Sequence, residues 1–219
     1  MINLYIQSIM DETKKCKERF TLYQELHRRK DIFHHSVNVM MFSLMIGKRL
    51  KLNHQQMMNL GAAALFHDVG KLDIEDCILY KPGRLSDDEY RIIKMHSELG
   101  YNRLMALKDE KKNILSTVAL QHHERNDGSG YPQALKTNKI HPLSKIVAIV
   151  DVYDALTEER VYRKRSFTSE EAMSILRKGS GIQFESDYLA AFSQALRSNI
   201  VKTNPYGALL EAVRKRRAI

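Results

Sequence analysis

Apolar residues recur at helical spacing along almost the whole chain, and no period-2 alternation runs long enough to require a sheet. The pattern predicts helices over about 2–27, 31–50, 54–69, 87–106, 111–124, 143–157, 168–178 and 185–200, with a last one near 206–216. Helix starts agree with it. Ser86 precedes Asp87, Asp88 and Glu89, and Thr168 opens Thr-Ser-Glu-Glu, so each places a capping hydroxyl ahead of an acidic first turn. Loops fall at Lys81–Arg84, which contains Pro-Gly, and at Asn126–Gln133, which contains two glycines and a proline. With no internal repeat or low-complexity linker, the economical reading is one all-α domain, a helical bundle.

Two helices are apolar on every side and still carry acids or imidazoles. Leu60 to Lys71 reads Leu-Gly-Ala-Ala-Ala-Leu-Phe-His-Asp-Val-Gly-Lys, which delivers His67, Asp68 and Lys71 to the interior within one turn. Val147 to Val152 does the same for Asp151, with Asp154 one turn on. Buried ionisable groups are costly unless paired or bound to metal. Ile114 to Leu120 ends in His122 and His123, His96 follows the apolar positions Tyr90, Ile93 and Met95, and Asp31 and His35 share a helix face at i, i+4.

Together Asp31, His35, His67, Asp68, His96, His122, His123 and Asp151 supply five imidazoles and three carboxylates. Nitrogen and oxygen donors without thiolate suit Fe or Mn better than a closed structural zinc site. Eight donors exceed the needs of one ion, so two or more divalent ions are expected, with Asp68 as the natural bridge. Paired ions favour hydrolysis of a phosphate ester. Lys71 could hold a phosphate oxygen as a point charge, and Arg160 and Arg163, one turn apart, could grip phosphate bidentately.

Composition narrows the remaining classes. The 219 residues are 43% hydrophobic and 28% charged, with 35 Lys+Arg against 26 Asp+Glu for a net +9. The surplus lies mostly in the runs Lys14–Arg19, Arg28–Lys30 and Arg214–Arg217, without interleaved aromatics, which favours a solvated basic face over nucleic-acid binding. The longest apolar stretch, Leu60–Phe66, is far below the roughly 18 residues of a membrane span. The N-terminus lacks a secretory pattern, so a cytosolic protein is expected, with Cys16 and Cys77 reduced.

The ordered motifs resemble a known family. His67-Asp68-Val-Gly-Lys71, Ile78-Leu-Tyr-Lys-Pro-Gly-Arg-Leu85, His96, His122-His123-Glu-Arg-Asn-Asp-Gly-Ser-Gly-Tyr-Pro132 and Asp151-Val-Tyr-Asp-Ala-Leu-Thr157 with Arg160 look like the HD-GYP subgroup of the HD phosphohydrolases, from about Asp31 to Phe192. The resemblance implies a helical bundle with a centre of two or three Fe or Mn ions inside it, and hydrolysis of cyclic di-GMP to the linear dinucleotide and on to GMP. Family metal positions fall on His35, His67, Asp68, His96, His122, His123 and Asp151, with Asp68 and Lys71 as the catalytic pair. Lys71, Arg160 and Arg163 fall where phosphates are held, and Tyr131 lies in a loop that lines the substrate site or docks a diguanylate cyclase domain. Three-metal members carry Glu where this chain has Asp31, one methylene shorter. Val161, Asn38 and Phe184-Glu-Ser also depart from the pattern, outside the proposed ligands. Residues 1–30 are read as an N-terminal helix and a candidate homodimer contact, with Leu4, Ile9, Phe20 and Leu22 as apolar candidates, and 31–219 as the catalytic domain. The rival readings are an HD-type hydrolase of another cyclic dinucleotide or nucleotide, and a non-catalytic receptor or interaction module.

Overall fold

The computed structural model describes residues 2–158 and 165–197. Every regular element among them is helical, apart from two isolated bridges, Asp127 with Lys136 and Ser180 with Phe184. The predicted helix near 206–216, the end of the one over 185–200, and Arg160 and Arg163 lie outside the described residues.

The first predicted helix is two: α1 (Ile2–Lys15) and α2 (Lys17–Arg28), broken at Cys16, whose backbone is extended. The break exposes carbonyls at the end of α1, and Arg19 of α2 folds back to donate to Glu12 O at 3.1 Å. The same guanidinium is buried against Asp109 at 3.1 Å, and Lys111 pairs with Glu12, so both N-terminal helices are fixed to the segment after residue 105. Ile9 and Leu22 join the common core, whereas Leu4 is 70% exposed.

At the centre lie α3 (Lys30–Arg49) and α4 (His54–Phe66), packed on each other as a hairpin. Asn53 caps α4 through a reciprocal pair with Gln56. The chain continues through a 3-10 turn, Val69–Asp73, then α5 (Asp76–Leu79), α6 (Asp87–Lys94), α7 (His96–Met105) and α8 (Lys112–Gln121). Next come α9 (Pro142–Thr157), α10 (Ser169–Lys178) and α11 (Ser186–Arg197). α3 packs against α4, α9 and α11, α4 against α1 and α8, and α7 against α8 and the 3-10 turn. No helix of the described residues is long and apolar enough to cross a membrane.

Two further boundaries differ from the pattern's forecast, and both place a histidine. The helix expected over 54–69 stops at Phe66, just before His67. The one expected over 87–106 breaks at Met95, so that His96 begins a new helix with a new direction.

α11 closes the bundle through Phe192, which is fully buried and meets Tyr153 edge-on at 4.9 Å and Phe42 edge-on at 5.9 Å. Phe192→Ala is expected to cost about 3–5 kcal/mol, as buried phenylalanine truncations do. A urea unfolding midpoint unchanged from the parent would contradict this packing role.

Candidate metal centre

Five elements aim imidazoles and acids at one buried region. His35 comes from the second turn of α3, His67 and Asp68 from the end of α4, and His96 from the first turn of α7. His122 and His123 follow α8, and Asp151 lies in α9. His67, Asp68, His96 and His122 are at most 1% exposed, while the His123 side chain keeps 24%.

The helix ends decide which nitrogen points inward. The last carbonyls of a helix have no intrahelical donor. His67 Nδ1 donates to Ala64 O at 2.7 Å, His96 Nδ1 to Ile93 O at 2.6 Å, and His122 Nδ1 to Ala119 O at 2.8 Å, always three residues back. A carbonyl only accepts, so each Nδ1 carries the proton and each Nε2 presents a bare lone pair. Those of His96 and His122 face each other at 3.2 Å, and His67 Nε2 is buried without a hydrogen-bond partner. Facing lone pairs in a dry interior repel unless a cation lies among them.

Asp68 divides the region in two. Its Oδ1 lies 3.3 Å from His96 Nε2 and 3.7 Å from His122 Nε2. Its Oδ2 lies 3.5 Å from both His35 Nε2 and His67 Nε2, and 2.5 Å from Lys71 Nζ. Asp151 completes the second side, 3.1 Å from His35 Nε2, and its other oxygen lies 3.7 Å from His123 Nδ1. Donor atoms of Asp68, His96, His122 and His123 all fall within 4.8 Å of one another, as do those of His35, His67 and Asp151. Both sets fit a divalent cation with borderline to hard donors.

Protonation suits ligation. Burial lowers His67 to about 4 and His96 to about 3, and with the neighbouring His122 holds His123 well below its usual value. Burial disfavours ionised Asp68, yet Lys71 and His67 keep it well below the usual carboxylate range. Asp151 is likewise kept ionised against its burial, chiefly by His35. His35 is the exception: burial opposes its charge, but Asp151 and Asp154 on either side raise it to about 10.

Close backbone approach fixes the surrounding turns. A Cβ on Gly70 would sit 2.0 Å from His96 O and 2.4 Å from Gly100 N, and one on Gly130 would sit 2.5 Å from Arg125 N. The loop holding Gly130 is tied to the buried Glu124, whose two oxygens accept from the amides of Gln133 at 2.7 Å and Leu135 at 2.8 Å. It lays Tyr131 on His123, rings 4.7 Å apart and 27° from parallel, with Lys94 Nζ 5.6 Å above Tyr131.

Of the residues singled out in the sequence, His35, His67, Asp68, Lys71, His96, His122, His123, Tyr131 and Asp151 meet here. Asp31 does not: it is exposed, and its carboxylate accepts from the Tyr80 hydroxyl at 3.1 Å. The i, i+4 spacing puts it on His35's side of the helix, but one turn nearer the rim. Its short side chain leaves it with Tyr80. Asp154, Glu158, Glu124 and Lys94 are additions. Asp154 was visible as an acid one turn past Asp151 in an apolar helix, whereas nothing in the pattern marks Lys94.

A family model for the HD domain matches residues 10–187. The chain is 35% identical over 176 residues to cyclic di-GMP phosphodiesterase PA4108 of Pseudomonas aeruginosa, covering 80% of this chain and 41% of that protein. It is 37% identical over 141 residues to the cyclic di-GMP phosphodiesterase response regulator RpfG of Xanthomonas campestris pv. campestris, covering 64% and 37%. The 3'3'-cGAMP-specific phosphodiesterase 3 of Vibrio cholerae is 32% identical over 162 residues, covering 74% and 35%. The chain thus spans less than half the length of these three relatives. Among solved structures, the HDG"Y"P protein Bd1817 from Bdellovibrio bacteriovorus superposes with a TM-score of 0.60 at 20% identity, over 76% of this chain and 52% of that one. The HD domain of the L. monocytogenes phosphodiesterase PgpH in complex with cyclic-di-AMP gives 0.56 at 16%, over 84% and 98%. These two likenesses carry the fold.

Gly70→Ala is expected to push α7 outward and cost about 1–3 kcal/mol, with a lower melting temperature and weaker metal uptake; parental values of both would contradict the close approach. Below about pH 10 the metal-free His35 holds a proton that an entering cation must displace. Metal affinity therefore rises with pH through the neutral range and uptake releases protons. Calorimetric titration in buffers of differing ionisation enthalpy reads that release, and a buffer-independent heat would refute it.

Proposed function

The chain belongs to the HD domain family, and on that premise we propose that it is a metal-dependent phosphodiesterase that opens cyclic di-GMP to the linear dinucleotide and cuts that on to GMP. The observation that carries this reading is the single carboxylate, Asp68, presenting one oxygen to each of two donor groups. His35, His67, Asp68 and Asp151 would hold one ion, and Asp68, His96, His122 and His123 the other. Nitrogen-rich, thiolate-free donors favour Fe or Mn. When bound, such a pair supplies Lewis acidity and a nucleophilic water at neutral pH.

The chain's own residues do the rest. Lys71 Nζ, now on Asp68 Oδ2 and 22% exposed, is the cation within reach of a nonbridging phosphate oxygen. Its ammonium would stabilise charge gathering on the phosphoryl group. Tyr131, stacked on His123, would line the substrate side, and its loop is where a diguanylate cyclase domain would dock. Arg160 and Arg163, outside the described residues, are assigned to phosphate from their spacing alone. The apolar residues of α3, α4, α8 and α9 back the donor groups from the core side.

One rival substrate has specific support, because relatives of comparable identity are named as 3'3'-cGAMP-specific phosphodiesterases. Protein purified anaerobically, with its metal content measured, is to be assayed on cyclic di-GMP, 3'3'-cGAMP and mononucleotides. Cleavage of cyclic di-GMP is expected, and Asp68→Ala is expected to lose both ions and at least about 10³-fold in rate, since both donor groups share the carboxylate. Metal-loaded protein that leaves cyclic di-GMP intact, with Asp68→Ala indistinguishable from it, defeats the proposal. Faster turnover of 3'3'-cGAMP selects the rival.

A further inference from the structure

His35 is held differently from its neighbours, for a reason that lies in its position. It sits in the interior of α3, where the carbonyls one turn back already accept from helix amides. The ends of α4, α6 and α8 leave carbonyls free for His67, His96 and His122, but none is free for His35. Its Nδ1 instead donates to Asp154 Oδ2 on α9 at 2.7 Å. Asp154 is 3% exposed and lies one turn after Asp151, so the two acids share a helix face and hold the ring between them, Asp151 at Nε2 and Asp154 at Nδ1.

A hydrogen bond to a carboxylate is roughly twice as strong as one to a neutral acceptor. It also orients the ring and enriches the opposite nitrogen as a donor. The set of His35, His67 and Asp151 with Asp68 therefore carries more negative charge than the set of His96, His122 and His123 with the same aspartate. We propose that Asp154 is a positioning residue that makes the two metal positions unequal, so that the His35 position, once its ring is deprotonated, holds its ion more tightly. The inference rests on the two-ion reading above. Asp154 meets the donor groups through His35. Glu158, one turn further along, reaches His34 Nδ1 at 3.3 Å and comes close enough to His35 and Asp154 to offer a competing role as a ligand.

The test is calorimetric titration of the metal-free chain with Mn2+ at several pH values, so that each affinity is corrected for the proton His35 releases, checked by elemental analysis and circular dichroism, on the parent, Asp154→Ala, Asp154→Asn and His96→Ala. Two unequal binding steps are expected for the parent. Asp154→Ala should weaken the tighter step by about 10- to 100-fold and leave the other unchanged. Asp154→Asn, whose amide oxygen still accepts from Nδ1, should fall between, and His96→Ala should weaken the other step. A folded Asp154→Ala with its tighter step intact, or with both steps weakened alike, overturns the inference. Loss of a separate third ion with both steps intact also overturns it, because Asp154 and Glu158 would then be ligands. If the alanine variant does not fold, parental affinities in Asp154→Asn overturn it. A parent that binds no ion refutes the two-ion reading itself, and the inference with it.

Discussion

One buried carboxylate sets the terms for the rest of this molecule. Asp68 is 1% exposed and stays ionised, although burying a lone carboxylate costs several kcal/mol. Lys71 compensates at Oδ2, whereas Oδ1 faces the lone pairs of His96 and His122 and has no hydrogen-bond partner. A cation held there would draw on donors from α3, α7 and α8 at once, so the packing of the helices and the charge balance at Asp68 are one problem. A bundle that let α7 drift by an ångström would carry His96 away from Oδ1 and open the donor group it shares with His122 and His123.

Helix termination is the means by which the fold meets that demand. An imidazole in mid-helix finds no free backbone acceptor, whereas one at a terminus finds a carbonyl three residues back. Three of the histidines use that opening, and the bond that ends the helix also fixes the ring tautomer. His123 instead stacks on the ring of Tyr131, so the loop tied down by Glu124 takes part in arranging a donor.

This division explains what was legible in the amino-acid sequence. The all-α class, most helix spans and the gathering of His35, His67, Asp68, His96, His122, His123 and Asp151 follow from apolar segments that leave polar residues nowhere else to go. The breaks at Cys16, Met95 and Phe66 were not legible, since every residue nearby is an acceptable helix former. They coincide with side-chain bonds from Arg19, His96 and His67 to carbonyls three to seven residues back, which helix propensity does not register. Asp31 lies apart for a related reason: spacing fixes the side of a helix on which a residue lies, but not its depth. Its carboxylate meets Tyr80, about 50 positions away, at the exposed rim. Asp154 is the reverse case, an acid whose burial was foreseeable but whose partner depends on how α3 and α9 cross.

The centre also bears on the stability of the whole chain. Without a cation, the lone pairs of His96 and His122 face each other and His67 Nε2 is buried with no donor, so the apolar core must hold these groups together against their mutual repulsion. The repulsion is borne by helix ends and by the 3-10 turn at Val69–Asp73, which is clamped where Gly70 meets the backbone of α7. Arg103 of α7 strengthens that clamp with two 2.6 Å bonds to Asp73 and one of 2.7 Å to Glu25, linking the turn to α2. Entry of a cation would convert the repulsive contacts into attractive ones. The cost of keeping the donors together is thus met in advance by folding, and an arriving ion need not spend its binding energy to assemble its own site.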